Sequence, residues 1–279
     1  MLTWINRIIT AVLVPIFMSA NSPVFLLQQQ MNRPKDLISL SESTVITEPM
    51  LITAHRGVNA QAPENSIPSY ELATEHGYYS AECDIRLTKD NVWVLSHDPF
   101  VSKCFWQVGL VSRTDFASLR SFTYKTGTNF WNYPDMQIPT LDEFLDVFVG
   151  SETRPQIEIK SSDYDSLHTV LEAVRSKGLM DKAIIISFDL KQLQIIREQD
   201  PDVELWYLVY AITQKKIDEA KALGNCWLSA DRKLNSEKMI RSTLSQDVGL
   251  SLWTVNSIAD AEKLYEMGVR YIETDRLCN

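Results

Sequence analysis

Between His55 and Asp98 three strand-like runs supply the imidazoles of His55 and His97, the guanidinium of Arg56 and the carboxylate pair Glu82 and Asp84, side chains that together could handle a charged substrate. Glu82 and Asp84 stand two residues apart in the run from Tyr78 to Arg86, which reads as a strand. Successive strand side chains point to opposite faces, so the two acids share one face and Cys83 takes the other. Two acids on one face suggest a cation between them. The apolar run Leu51 to Ala54 reads as a buried strand delivering His55-Arg56-Gly57 at its C-terminal end. A third strand-like run, Val92 to Ser96, ends at His97-Asp98. Three strand ends converging on one rim with these side chains have the make-up of a site.

Further along, Glu158 and Lys160 sit in Gln-Ile-Glu-Ile-Lys. Hard divalent cations such as Ca²⁺ and Mg²⁺ prefer carboxylate oxygens, so Glu82, Asp84 and Glu158 are candidate ligands for one such ion. The same acids could equally be solvated or salt-bridged, and for Glu158 a pair with Lys160 is an equally good reading. His55 and His97 lie at strand ends beside acids, whereas His76 and His168 fall on expected helices. Arg56, through its bidentate fork, and Lys160, as a point charge, are natural anion clamps. Glu64 and Asn65 either orient Arg56 or His55, or cap the helix that follows. Trp253 either walls a polar pocket or fills the core.

The elements that must carry these residues alternate between strand and helix, which argues for a parallel α/β sheet. After a cap-like Asn65-Ser66, a helix runs to His76 with Ile67, Tyr70, Leu72 and Ala73 on its buried face and Gly77 closing it. Further strands are expected at 155–160, 183–188, 203–210, 226–230, 248–255 and 270–273, with helices at 163–177, 190–199, 213–222, 235–245 and 257–267. This series allows eight strands. The long segment from Pro99 to Pro139 breaks the alternation and carries Phe105, Trp106, Phe130, Trp131 and Tyr133. It reads as an insertion that serves the site and is held together by an aromatic mini-core.

Composition narrows the field. With 279 residues and 45% hydrophobic content, the chain can bury a full core, and one catalytic domain suffices. A net charge of -9 argues against a nucleic-acid groove or an anionic membrane surface, so the substrate should be a small molecule; no protein partner is expected. Cysteines 83, 104, 226 and 278 show no metal spacing and read as buried or free thiols, with a disulfide left open if the chain is exported. Residues 1–27, with Arg7 ahead of the apolar run Ile8 to Ala20, read as a signal peptide or an uncleaved membrane anchor, which places the protein outside the cytoplasm or on a membrane. Residues 28–48 read as a linker and 49–279 as the catalytic domain.

His-Arg-Gly at 55–57, Pro-Glu-Asn at 63–65, Glu82-x-Asp84, Thr-Lys-Asp at 88–90 and His97-Asp98, in this order, resemble the glycerophosphodiester phosphodiesterase family. The resemblance continues through Ile138-Pro-Thr-Leu-Asp-Glu-Phe-Leu145, Glu158-Ile-Lys160, Trp253-Thr-Val-Asn256 and Thr274-Asp275. It implies a TIM-type (β/α)8 barrel of the phospholipase C-like superfamily, with an insertion after the third strand-like segment, and the chain length fits one such barrel. It further implies a divalent metal on Glu82, Asp84 and Glu158, and acid and base roles for His55 and His97, with their order left open. The implied reaction is hydrolysis of a glycerophosphodiester to sn-glycerol 3-phosphate and an alcohol. Attack comes from water directly or first from the glycerol 2-hydroxyl through a cyclic phosphate. A lysophospholipase D-like or phospholipase D-like activity on acylated lipids is the alternative enzyme, and a non-catalytic phosphate or headgroup module the alternative class. Glu273 departs from the family, which usually has a small or apolar residue there. The family's last helix, beyond Asp275, is expected to be absent or supplied elsewhere.

Overall fold

The computed structural model describes residues 29–30 and 32–279, so the apolar run Ile8 to Ala20 lies outside the described residues. The strands, in chain order, are β1 (Ile38–Ser39), β2 (Leu51–Ala54), β3 (Ser80–Leu87), β4 (Trp93–Leu95), β5 (Arg154–Ile159), β6 (Ile184–Ser187), β7 (Glu204–Val209), β8 (Cys226–Asp231), β9 (Leu250–Trp253), β10 (Tyr271–Thr274) and β11 (Leu277–Cys278). Among the described residues, eight of them, β2, β3 and β5 to β10, pair in parallel, and the β2–β3 pairing closes the ring into a barrel. The helices are α1 (Ile67–Glu75), α2 (Phe116–Arg120), α3 (Leu141–Asp146), α4 (Leu167–Ser176), α5 (Leu190–Gln199), α6 (Gln214–Leu223), α7 (Glu237–Leu244) and α8 (Ile258–Glu266). The TIM-type barrel expected from the motifs is therefore the observed fold.

Strand alternation sorts the residues into two layers. Outward-facing Ile52, Cys83, Ile157, Ile185, Leu205, Leu228 and Leu252 join the buried faces of the helices in the main core. Inside the barrel, Trp206 stacks on Trp227 at 5.6 Å beside Tyr271, and Ile184, Ile186 and Leu208 fill around them. A polar layer lies next to these, where Thr53 Oγ1 meets Ser80 Oγ at 2.7 Å and Ser80 donates to Gln156 Oε1 at 3.1 Å. The next inward positions along β3, β5 and β10 are Glu82, Glu158 and Glu273, so the barrel changes from aromatic to acidic toward the strands' C-terminal ends. Helices leave that end through capping residues: Thr140 forms a capping box with Glu143, and Asp189, Thr213, Ser236 and Ser257 each accept a first-turn N–H.

Three expectations need correction. β4 is not a barrel strand but runs antiparallel on β3, with Leu95 opposite Ile85 and Trp93 opposite Leu87. On α1, Tyr70 and Ala73 are buried as expected, while Ile67 and Leu72 are only half-buried. Residues 28–48 are not a linker over their described length: β1 pairs with β11, Leu40 is 2% exposed in the main core, and Ser43 Oγ donates to Glu262 of α8 at 2.6 Å. Leu37, Ile38 and Leu40 give this otherwise polar segment enough apolar surface to hold it on the barrel. Among the described residues no helix follows β10, and this segment packs along α8 instead.

The insertion has its own core of Val101, Phe105, Val111, Leu119, Tyr124 and Phe130. That mini-core takes Phe105 and Phe130 fully and Trp131 partly, as the aromatic content suggested. Among the described residues the cysteines are free thiols, and no helix is long and apolar enough to cross a membrane.

Candidate active site

β2 ends at Ala54, and the chain turns sharply through Arg56 (φ 57°) and Gly57 (φ 77°). Left-handed backbone at two successive positions explains the glycine, since a Cβ at Gly57 would lie 2.2 Å from Ser69 Oγ of α1. The turn aims the Arg56 amide at Glu82 Oε2, 2.9 Å away, and frees the guanidinium to reach Asp84 at 3.3 Å and Glu64 at 3.0 Å. His55 puts Nδ1 2.8 Å from Asp275 Oδ1, and Asp275 is itself held by Asn59 at 2.7 Å and Asn256 at 2.9 Å. Nε2 of His55 faces Glu273 at 3.7 Å.

Glu82, Asp84 and Glu158 come together as the strand pattern requires, with one oxygen of each within 4.8 Å of the others. Their surroundings differ. Asp84 meets Arg56, Lys160 Nζ at 3.2 Å and Asn65 Nδ2 at 2.8 Å; burial would raise its pKa, but Lys160 and Arg56 hold it well below the usual carboxylate range. Glu82 is raised well above that range by burial and by the charge of Asp84, and its Oε1 is buried with no hydrogen-bond partner among the described residues. Burial and Asp84 push Glu158 up to about 7, even though Lys160 Nζ lies 2.7 Å away. Three crowded oxygen donors, one with an orphaned buried atom, fit a hard divalent cation. The pair of Glu158 with Lys160 is present alongside this arrangement.

His97 reaches the same centre by an unexpected route. β3 continues past the level of Asp84, and β4 folds back along it, so Ser96 N bonds Asp84 O at 2.9 Å and His97 follows directly. Arg86 clamps the His97 carbonyl through Nε at 3.0 Å and Nη2 at 2.7 Å. The surroundings push the two imidazoles in opposite directions. Burial lowers His55, but Asp275, Glu273 and Glu82 outweigh it and lift the ring to about 9, whereas burial leaves His97 below its ordinary value despite Asp84. Around the rim, His97 Nδ1 lies 3.4 Å from Asp98, and ion pairs run on from Asp98 to Lys103 at 3.0 Å, Lys103 to Glu64 at 3.0 Å and Glu64 to Arg56.

The sequence model of the glycerophosphoryl diester phosphodiesterase family matches residues 55–278, which span every side chain described above. The chain belongs to that family. It is therefore a phosphodiesterase, similar to the glycerophosphodiester phosphodiesterases of Bacillus subtilis (27% identical over 252 residues, 81% of this chain and 83% of that one) and Caldanaerobacter subterraneus (27% over 240 residues, 81% and 93%). Among solved structures, a phosphodiesterase from Oleispira antarctica in complex with the product sn-glycerol 3-phosphate shares the fold, with a TM-score of 0.75 at 23% identity over 85% of this chain and 96% of that one. A glycerophosphodiester phosphodiesterase from Parabacteroides distasonis superposes with a TM-score of 0.69 at 25% identity, over 82% of this chain and 94% of that one.

Within this family member, Glu64 Oε2 accepts from Arg56 Nη1 at 3.0 Å, while the side chain of Asn65 meets Asp84: its Nδ2 donates to the carboxylate and its Oδ1 accepts from the Asp84 amide at 3.0 Å. Neither caps α1, whose N-cap residue is Ser66, without a side-chain bond. Trp253 stands at the rim against Phe188 at 6.1 Å and Tyr210 at 5.9 Å, partly exposed and with Nε1 unpartnered among the described residues. His76 and His168 lie on the surface. Residue-type reasoning did not assign site positions to Asp275, Asn59, Asn256 or Arg86. Asn256 and Asp275 each follow the end of a barrel strand, the signal that could have found them. Beside His55 and Arg56 lies a cavity of about 450 Å³, lined by Lys103, Tyr124 and Thr126 of the insertion together with Asn256 and Asp275.

Proposed function

We propose that the chain hydrolyses glycerophosphodiesters to sn-glycerol 3-phosphate and an alcohol with the help of one divalent cation, Ca²⁺ or Mg²⁺, held by Glu82, Asp84 and Glu158. The observation that carries this reading is the placement of two imidazoles in unlike surroundings beside one acidic triplet, His55 next to Glu82 and Glu273, and His97 next to Asp84. The names of the relatives in Bacillus and Caldanaerobacter support the substrate class. When bound, the cation would neutralise phosphoryl oxygens and polarise the phosphorus for attack. Arg56 and Lys160 add fixed positive charge where the transition state gathers negative charge. His97, kept neutral by burial, accepts the proton of the attacking oxygen, either water or the glycerol 2-hydroxyl. His55, kept protonated by Asp275, gives its proton to the leaving alkoxide.

Turnover of glycerophosphocholine and glycerophosphoethanolamine, measured on metal-stripped protein with Ca²⁺ or Mg²⁺ restored, tests this directly; no turnover with either ion would sink it. One observation favours a second reading, a lysophospholipase D-like activity: Phe188 and Tyr210 are 37% and 58% exposed at the rim beside Trp253 and offer apolar surface to an acyl chain. Faster cleavage of lysophosphatidylcholine than of glycerophosphocholine would decide for it. The run Ile8 to Ala20 supports an exported or membrane-tethered protein.

A further inference from the structure

Glu273 neither holds the cation nor moves a proton in the hydrolysis described above, yet it is buried inside the barrel at 4% exposure, with Oε2 lacking a partner among the described residues. Its other oxygen lies 3.7 Å from His55 Nε2, too far for a hydrogen bond. One ligand atom from each of His55, Glu82 and Glu273 lies within 4.8 Å of the other two. Glu82, 1% exposed, brings its own unpartnered Oε1. Two polar side chains, each more than nine-tenths buried and each with an oxygen that nothing among the described residues satisfies, thus bring a ligand atom to His55. The imidazole is also set up for ligation. Asp275 at Nδ1, fixed by Asn59 and Asn256, holds the ring so that Nε2 faces the acids, and an incoming cation that displaces the Nε2 proton meets the arrangement that supports metal-bound histidines.

We propose that His55, Glu82 and Glu273 form a second cation site, sharing Glu82 with the oxygen-only triplet, and that a zinc-like divalent ion bound there blocks turnover by occupying His55 Nε2. The two sites differ in donor chemistry. Three carboxylates suit Mg²⁺ or Ca²⁺, whereas one imidazole nitrogen with two carboxylates suits a borderline ion such as Zn²⁺. Binding expels the Nε2 proton to solvent, so the ring can no longer supply one to the leaving group. The inhibitory half of this inference rests on the proposed role of His55 in hydrolysis; the site itself does not.

The test uses the full chain saturated with Mg²⁺ and titrated with Zn²⁺. Equilibrium dialysis counts the zinc bound, and X-ray absorption at the zinc edge reads its ligands; neither needs turnover. The wild type should bind one Zn²⁺ without losing Mg²⁺, with one imidazole among its ligands, and Glu273→Gln should weaken zinc binding by about tenfold or more. Zinc that binds only by displacing magnesium, a zinc spectrum without imidazole, or equal affinity in wild type and Glu273→Gln would each overturn the site. Zinc should also inhibit wild-type turnover, and Glu273→Gln should need about tenfold more zinc to lose half of its own activity. Zinc held through Glu273 with turnover undiminished would overturn the inhibitory half and, with it, the assignment of His55 as proton donor, while leaving hydrolysis of the substrate class untouched.

Discussion

Glu82 and Asp84 sit two residues apart on one face of one strand, yet neutralising them should move the stability of the metal-free protein in opposite directions. Residue types alone suggest that removing any acid from the cluster relieves repulsion. The geometry changes this for Asp84, which is 1% exposed and lies between Arg56 at 3.3 Å and Lys160 at 3.2 Å, cations whose side chains are only 14% and 16% exposed. Removing one partner of a buried pair costs about 3–5 kcal/mol. Arg56 keeps Glu64 and Lys160 keeps Glu158, so Asp84→Asn should fall at the low end, about 3 kcal/mol, or roughly 6–12 °C in Tm for a chain of this size. Glu82 makes no ion pair with Arg56 or Lys160, and burial and Asp84 hold it above the carboxylate range despite the opposing pull of His55, so Glu82→Gln removes an unfavourable charge and keeps an acceptor for the Arg56 amide. Its Tm should be unchanged or higher. Thermal unfolding in EDTA at pH 7.5, followed by circular dichroism, measures both. Equal shifts of the same sign in the two variants would refute the division of labour within the pair.

Other outcomes follow from the same geometry. His55 is raised from 6.5 to about 9 and Glu158 from 4.5 to about 7, so the folded metal-free protein binds more protons than the unfolded chain between roughly pH 4.5 and 9. Its stability should therefore decline as pH rises through that window, a decline visible in urea midpoints and reduced by Mg²⁺ or Ca²⁺. Asp275→Asn removes the charge that helps keep His55 protonated, so the alkaline limb of the kcat/KM profile should move to lower pH, whereas a merely structural change would leave the limb in place. A chain beginning at Glu48 loses β1 and the buried Leu40, the latter alone worth about 1.5–3 kcal/mol, and its Tm should fall accordingly. An unchanged Tm would return residues 28–48 to the status of a linker.

The barrel was legible because its strands carry unbroken apolar runs such as Ile184-Ile-Ile and its helices start at recognisable caps such as Thr140 with Glu143. The acid pair was legible for an equally local reason: side-chain alternation alone places Glu82 and Asp84 on one face and sends Cys83 into the outer core. What stayed hidden depends on strand direction and on chain segments meeting from far apart. A strand reads the same parallel or antiparallel, so nothing local in Trp93-Val-Leu95 tells that it folds back on β3 and delivers His97 from the opposite side. Asn59 and Asn256 matter only because both reach Asp275, 216 and 19 residues away. Leu37, Ile38 and Leu40 lie in an otherwise polar run, and the pairing of Ile38 with Leu277 from the far end of the chain ties them to the barrel.

The most direct test of the account asks whether the two imidazoles perform distinct proton transfers. Replacing either His55 or His97 with Ala should lower kcat on glycerophosphocholine by about 10² to 10⁴, the scale of a lost general acid or base. A nitrophenyl phosphodiester has a leaving group that needs little protonation, so it should restore most of the rate to His55→Ala and little to His97→Ala. Rescue of both variants, of neither, or of His97→Ala alone would contradict the assignment of His55 as acid and His97 as base.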